Sequence, residues 1–278
     1  MGDNPELRRI LEGLQAGERT LDETLQRLRL FQIAQVGEFA RLDTNRDLRK
    51  GVPEVLYAPG KTDDELESIV RRYLDERGYA LVTRLHPERA VSLRAALQEA
   101  KNDEGAAGRR VSYQANARVF VAYSPEYRLP PECGRVGLLT AGTSDIPVAE
   151  EAALVMVHMG CRVERGYDTG VAGLHRLAEP LTRMVETGAA VLVVVAGMEG
   201  ALASVVAGLV DIPVIGVPVS TGYGLGGDGT AALYSMLQSC SPGLVTVNID
   251  NGVGAGVAAA LIARGTATGR GPCPGRSQ

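Results

Sequence analysis

The chain has 278 residues, enough for one large domain or two medium ones with real cores. Hydrophobic side chains make up 45 % of it, yet there is no tryptophan and there are only three phenylalanines. The core is therefore built from Ala, Val, Leu and Ile, as in layered α/β proteins. A net charge of −4 offers no basic surface for nucleic acid or acidic lipid, and no apolar run approaches the ~20 residues that span a bilayer.

The N-terminal stretch MGDNPELRRILEGL reads as a charged amphipathic helix without the apolar core of a signal peptide, so a cytoplasmic location is expected. The cysteines (Cys133, Cys161, Cys240, Cys273) are scattered, with no CxxC pair. Free thiols in a reducing compartment are expected, and no metal site. Short helices are predicted at 5–16 and 20–30, then a strand VPEVLYA at 52–58. The stretch GKTDDELESIVRRYLDERG predicts a helix with Thr62 as N-cap and Gly78 past its end. YALVTRL (79–85) and RVFVAY (118–123) read as further strands of a small α/β unit. Arg46, Arg49, Lys50 and Lys61 form either a solvated face or a clamp for the far end of a dinucleotide.

Charge density then drops: 43 of the 62 charged side chains precede residue 133. The proline-rich YSPEYRLPPECG at 123–134 disfavours helix and central strand, and marks the boundary. The expected organisation is an N-terminal helical and small α/β domain (1–125), a linker (126–133), a catalytic domain (134–264) and a disordered tail (265–278).

In the C-terminal domain, GRVGLLTAG, CRVERGY, AAVLVVVAG, IPVIGVPV and GLVTVNID read as strands. Helical patterns lie between and after them at 147–159, 173–187, 199–210, 228–239 and 254–264. Alternating strands and helices, with a strand as continuously apolar as AVLVVVA, predict a parallel sheet covered by helices on both faces. Ligands of such sheets bind beyond the carboxyl ends of the strands. Those ends carry Gly142-Thr143-Ser144-Asp145, then Asp168 leading to His175-Arg176, then Gly197-Met198-Glu199. The last two carry Gly222-Tyr223-Gly224 and Asn248-Ile249-Asp250-Asn251.

Each has a structural alternative. Ser144-Asp145 before Pro147 is either a helix N-cap or part of an anion site. Asp168 and Asp250 are turn formers or ligand contacts, and His175 a cap or a binding group. Glu199, between glycines directly after a buried strand, is not needed for capping. Cys240 follows a helix end, where the dipole disfavours a thiolate. A reactive Cys240 therefore needs a base, for which Glu199 is the candidate; otherwise it is a small buried hydrophobe.

The order AGTSD, GVAGLHRL, AGMEGALASVVAGL, PVIGVPVSTGYG and SMLQSCSPGLVTVNIDNGVGAG resembles the LarB family, as does ARLDTNRDLRKGVPEVLYAPGKT at 40–62. That family consists of pyridinium-3,5-biscarboxylic acid mononucleotide synthases of nickel-pincer nucleotide biosynthesis. The resemblance covers most of the chain and excludes the tail. Asn45 departs from it, where a histidine is expected. The C-terminal part is more distantly similar to PurE-type aminoimidazole ribonucleotide carboxylases, whose catalytic His is replaced here by Glu199.

The resemblance implies a three-layer α/β/α, flavodoxin-like or Rossmann-like C-terminal domain. It also implies carboxylation of nicotinic acid adenine dinucleotide with CO2 and hydrolysis of its phosphoanhydride, releasing AMP. No organic cofactor is expected; Mg2+ is compatible with the substrate pyrophosphate. Cys240 would add to the pyridinium ring, with Glu199 in a dry setting as base. Ser144 and Asp145 would hold phosphate, ribose or carboxylate, and His175 and Arg176 an anionic group. The glycine loop at 222–229 would approach the nucleotide. The related families imply a homo-octamer built on the C-terminal domain. The rivals are a PurE-type carboxylase or mutase, which would have a His at 199, and a non-catalytic nucleotide-binding module, which would not need Cys240 and Glu199 together. No GxGxxG follows the first strand of either half, against a dehydrogenase.

Overall fold

The AVLVVVA run becomes the centre of a parallel sheet in which every residue of Val191–Ala196 is buried. The computed structural model describes residues 5–28, 34–36, 40–42, 51–98 and 108–267. It divides into two units. The smaller comprises residues up to Val82 with Glu88–Ser112 and Val121–Tyr127, and the larger comprises Thr83–Pro87, Tyr113–Phe120 and the chain from Arg128.

In the smaller unit, helices α1 (Pro5–Gln15) and α2 (Leu21–Leu28) precede an antiparallel pair, β1 (Ala34–Val36) and β2 (Ala40–Leu42). Only Leu56–Tyr57 (β3) of the predicted strand 52–58 is strand, because Pro53 has no N–H to give a ladder. Helix α3 (Asp63–Arg77) starts as its sequence dictates. Glu65 N donates to Thr62 Oγ1 at 3.2 Å, and Thr62 N to Glu65 Oε2 at 2.8 Å. It ends at Gly78, whose φ of 74° and bond to the Leu74 carbonyl close the last turn. Strands β4 (Tyr79–Thr83), β5 (Arg110–Gln114) and β6 (Val119–Tyr123) join β3 in the order β3-β4-β6-β5. Helix α4 (Pro87–Gln98) and strand β5 are elements the sequence pattern did not announce. Beyond β6, Tyr127 stacks on Tyr123 at 5.3 Å and tilts against Tyr79 at 4.8 Å, so the proline-rich segment starts pinned to the sheet. Arg46, Arg49, Lys50 and Asn45 lie outside the described residues, as do residues 268–278 of the expected tail; the described chain continues as helix to Ala267.

The larger unit alternates strand and helix as expected. It runs β7 (Gly134–Thr140), α5 (Ile146–His158), β8 (Cys161–Gly166), α6 (His175–Glu186), β9 (Val191–Ala196) and α7 (Ala201–Leu209). It continues with β10 (Val214–Pro218), α8 (Thr230–Leu237), β11 (Leu244–Thr246) and α9 (Gly252–Ala267). The sheet is wholly parallel in the order β11-β10-β9-β7-β8, with Val136 opposite Val191 and Pro218 opposite Ala196. In chain order this is the doubly wound 2-1-3-4-5 arrangement, whose direction reverses between the first and third strands, β7 and β9. On one face Leu177, Leu181 and Met184 of α6, Leu202 and Val206 of α7 and Met236 of α8 cover the sheet. On the other, α5 and α9 touch backbone to backbone. A Cβ on Gly252 would lie 2.2 Å from the Val148 carbonyl oxygen, and one on Gly256 2.5 Å from that of Ala152. Of the predicted strand at 243–250 only three residues join the ladder, although Val247 and Asp250 still donate to the Gly216 and Pro218 carbonyls of β10.

Candidate active site

Beyond the carboxyl ends of β7 and β9, where the strand order reverses, lies a cavity of about 500 Å³, an ordinary volume for a small-molecule site. Four strand ends contribute. From β7 come Gly142, Ser144 and Asp145; from the chain after β8, Gly170 and Arg176. From β9 come Gly197, Met198 and Glu199, and from β10, Thr221, Gly222 and Tyr223.

Asp145 organises this end of the sheet. It is buried and stands at the N-cap position of α5 without a side-chain bond to that helix, its carboxylate capping the short 3₁₀ turn Thr143–Asp145 that leads into it. Its Oδ2 instead accepts from Gly142 N at 2.8 Å and its Oδ1 from Thr221 Oγ1 at 2.9 Å. Burial pushes the carboxyl above the usual range, and hydrogen bonds from Gly142, Thr221 and Gly197 partly offset that. One side chain thus ties the ends of β7, β9 and β10. Thr221, like Gly170, is a wall residue the sequence reading did not name. It lies 76 positions from Asp145, and only its place within a strand-end STGYG hinted at a role.

The β9 end is equally tight. A Cβ on Gly197 would stand 2.2 Å from the Thr221 carbonyl oxygen, which also accepts from Met198 N at 3.4 Å. Met198 holds a φ of 52° and Gly200 one of 65°. This turn carries Glu199 to the mouth of the cavity, where it is exposed rather than dry as expected.

Arg176 supplies a cation, paired at 2.5 Å with Asp168, whose φ is 57°. Asp168 itself, Thr143, His175 and Gly224 lie off the cavity wall, and His175 is the exposed first residue of α6. Asn248, Asp250 and Asn251 are also off the wall, each engaged locally. The Asn248 side chain accepts from Ile249 N, and Asn251 Oδ1 from Gly254 N in the first turn of α9. Asp250 accepts from Ser220 N at 2.9 Å and Ser220 Oγ at 2.6 Å.

The expected contact between Glu199 and Cys240 is absent within one chain. Helix α8 returns the chain to the opposite edge of the sheet. Cys240 stands there, exposed, three residues before Gly243, which accepts from Val214 at the start of β10. The thiol is therefore not a buried hydrophobe, and Glu199 of the same chain does not stand beside it. Among the described residues no cluster of three His, Cys, Asp or Glu side chains is placed to hold a metal, and no helix is long and apolar enough to cross a membrane.

Residues 135–268 match the AIR carboxylase family, and residues 33–123 the LarB/PurE-like N-terminal domain. The larger unit is thus a PurE-like α/β/α domain of the class that performs carboxylase or mutase chemistry on nucleotide-related substrates. The chain as a whole belongs to the LarB family. An uncharacterised protein of Methanocaldococcus jannaschii is 43 % identical over 95 % of this chain and 98 % of its own length. An N5-carboxyaminoimidazole ribonucleotide mutase of Thermotoga maritima is 33 % identical over 46 % of this chain and 74 % of its own. The mutase of the same name from Methanocaldococcus jannaschii is 34 % identical over 44 % and 74 %.

Proposed function

We propose that the chain carboxylates the pyridinium ring of nicotinic acid adenine dinucleotide with CO2 and hydrolyses its phosphoanhydride, releasing AMP and a biscarboxylated mononucleotide. The observation that carries this reading is a carboxylate, Glu199, at the mouth of the strand-end cavity, where the PurE-type ribonucleotide enzymes carry a histidine. A pyridinium ring is electron-poor and does not attack CO2 unaided. A thiolate adding beside the ring nitrogen forms a C–S bond and leaves a dihydropyridine whose next carbon is enamine-like. That carbon bonds to CO2, its proton passes to a base, and the C–S electrons return to sulfur as aromaticity is restored. Cys240 is the nucleophile and Glu199 the base. Arg176, Ser144 and the amides at the start of α5 receive anionic groups of the substrate, with Mg2+ on its pyrophosphate. On this reading, since Cys240 and Glu199 stand at opposite edges of one sheet, the thiol would enter the cavity of a neighbouring copy within the proposed homo-octamer.

The test is mass spectrometry of protein incubated with the dinucleotide, bicarbonate and Mg2+. Wild type is expected to yield AMP and the doubly carboxylated mononucleotide, with Cys240→Ala and Glu199→Gln each at least ~10³-fold slower. Refolding the two variants together restores activity if the residues act across copies. Product from Cys240→Ala at the wild-type rate refutes the thiol route. The mutase relatives favour a second reading, tested in the same assay with N5-carboxyaminoimidazole ribonucleotide: turnover of that substrate alone would replace the first reading.

A further inference from the structure

The segment Thr83–Pro87 is part of the larger unit. Its backbone is fixed by Leu85 N donating to the Arg118 carbonyl at 2.9 Å and Tyr113 Oη to the Leu85 carbonyl at 2.8 Å. Within it Arg84 holds a φ of 55°, a conformation that disfavours any side chain larger than glycine's and persists only where other interactions compensate. Arg84 Nε lies 3.2 Å from Oε1 of Glu151, a buried carboxylate on α5, and Arg84 Nη2 donates to the Asp250 carbonyl at 2.7 Å. Asp250, itself at a φ of 55°, grips Ser220 through both carboxylate oxygens. The next residue, Thr221, bonds Asp145 and receives Met198 N. A continuous series of polar contacts therefore runs from Arg84 through Asp250 and Ser220 to two walls of the cavity that Arg84 itself does not line.

We infer that Arg84 is a positioning residue. It holds the Asp250 turn and, through it, sets the Ser220–Thr221 wall against Asp145 and Met198. Glu151 orients the guanidinium and keeps the arrangement electrically paired. The ion pair and the wall are separable: removing the guanidinium strands a buried carboxylate and also frees the Asp250 turn, but only the second effect reaches the cavity.

Hydrogen exchange read by mass spectrometry on the full chain tests this without reference to any substrate. In Arg84→Met, peptides covering 197–200 and 218–222 are expected to exchange about tenfold faster or more, while β9 keeps its wild-type protection. Arg84→Lys, which keeps one donor, falls between. Ser220→Ala loosens 218–222 with Arg84 and Glu151 intact. Should Arg84→Met unfold, Arg84→Met/Glu151→Gln removes the stranded charge, recovering overall stability but not the protection of the two peptides. Wild-type exchange at both peptides in Arg84→Lys and in the double variant overturns the inference, as does uniform loosening of the whole unit. For catalysis the inference rests on the function proposed above: KM for the dinucleotide rises about tenfold in Arg84→Lys, with kcat within about threefold. A wild type that does not turn over the dinucleotide defeats that function and leaves the exchange result to decide the role of Arg84.

Discussion

The two edges of the parallel sheet are built differently from the same kinds of turn. At the amino ends the chain enters its strands through Gly160, Gly188 and Gly243, all with φ between 78° and 87° and all glycine. At the carboxyl ends, glycines such as Gly200 share the left-handed positions with Asp168, Met198 and Asp250, whose side chains make that conformation less favourable than it is for glycine. Glycine takes such a turn without strain, so a side chain there has to be justified by what it reaches. Asp168 reaches Arg176, Asp250 reaches Ser220, and Met198 lines the cavity. Strain at one edge and its absence at the other locate the working side of the domain without reference to any relative.

The largest contrast expected is chemical, between two thiols of the amino edge. Cys240 is exposed, whereas Cys161 is 5 % exposed and burial pushes its thiol up to about 12. At pH 8 the Cys161 thiol is ionised on the order of one part in ten thousand. Timed alkylation with peptide mapping should label Cys240 at least ~10³-fold sooner than Cys161. Comparable rates would mean that the amino edge opens far more readily than its packing implies.

A second contrast pairs glycines. Gly197→Ala places a methyl against the Thr221 carbonyl and should cost about 10²-fold in activity through displacement of the Met198-Glu199 turn. Gly188→Ala meets no atom within 4 Å and only strains its φ of 78°. It should cost about 1–2 kcal/mol of stability, read from denaturant unfolding, with activity per folded molecule unchanged. Equal losses of activity in both would erase the distinction between the edges.

The smallest effect concerns His158, buried in the last turn of α5 with Nδ1 2.7 Å from the Leu154 carbonyl oxygen. Burial lowers its pKa below 6.5 in the folded chain. The unfolded chain therefore binds a proton there that the folded chain resists. The contribution is complete above the unfolded value and declines as pH falls from 6.5 through the lower folded value, by at most about 1.4 kcal/mol per pH unit. His158→Gln should flatten the fall of Tm between pH 7 and 5, and an unchanged slope would assign the acid sensitivity to other groups.

Much of the larger unit was legible because its signals are local. Apolar runs long enough only for a buried strand, separated by helical patterns, place every strand of the sheet to within a few residues; in the smaller unit, Thr62 and Gly78 likewise mark the two ends of α3. Helix α4 was missed because Val91, Ala95 and Ala96 spread apolar character beyond the buried Ala90, Leu93 and Leu97 stripe, and Val91 is 70 % exposed. Strand β5 was missed although Arg110–Gln114 alternates polar and apolar residues, because the alternation rests on Val111 and Tyr113 alone, both only half-buried. For the site, the rule that ligands gather at strand ends found Gly142, Ser144, Asp145, Arg176, Gly197 and Glu199. It could not find the tie between Asp145 and Thr221, nor Arg84, whose partners lie 67 and 166 residues away. Nor could it show that α8 carries Cys240 to the far edge, since a reading of strand ends assigns residues to loops and not to directions in space.

The backbone-to-backbone seam between α5 and α9 also bears on how the chain is made. Val148 and Ala152 are synthesised early in the larger unit, yet the glycines that cover them, Gly252 and Gly256, come about a hundred residues later. At 5–20 residues per second, that face of α5 stays bare for on the order of ten seconds while the chain emerges. During that interval the seam face of α5, with Val148, Ala152 and Val155, waits without its partner helix, so the packing of this face is among the last to form as the chain is made.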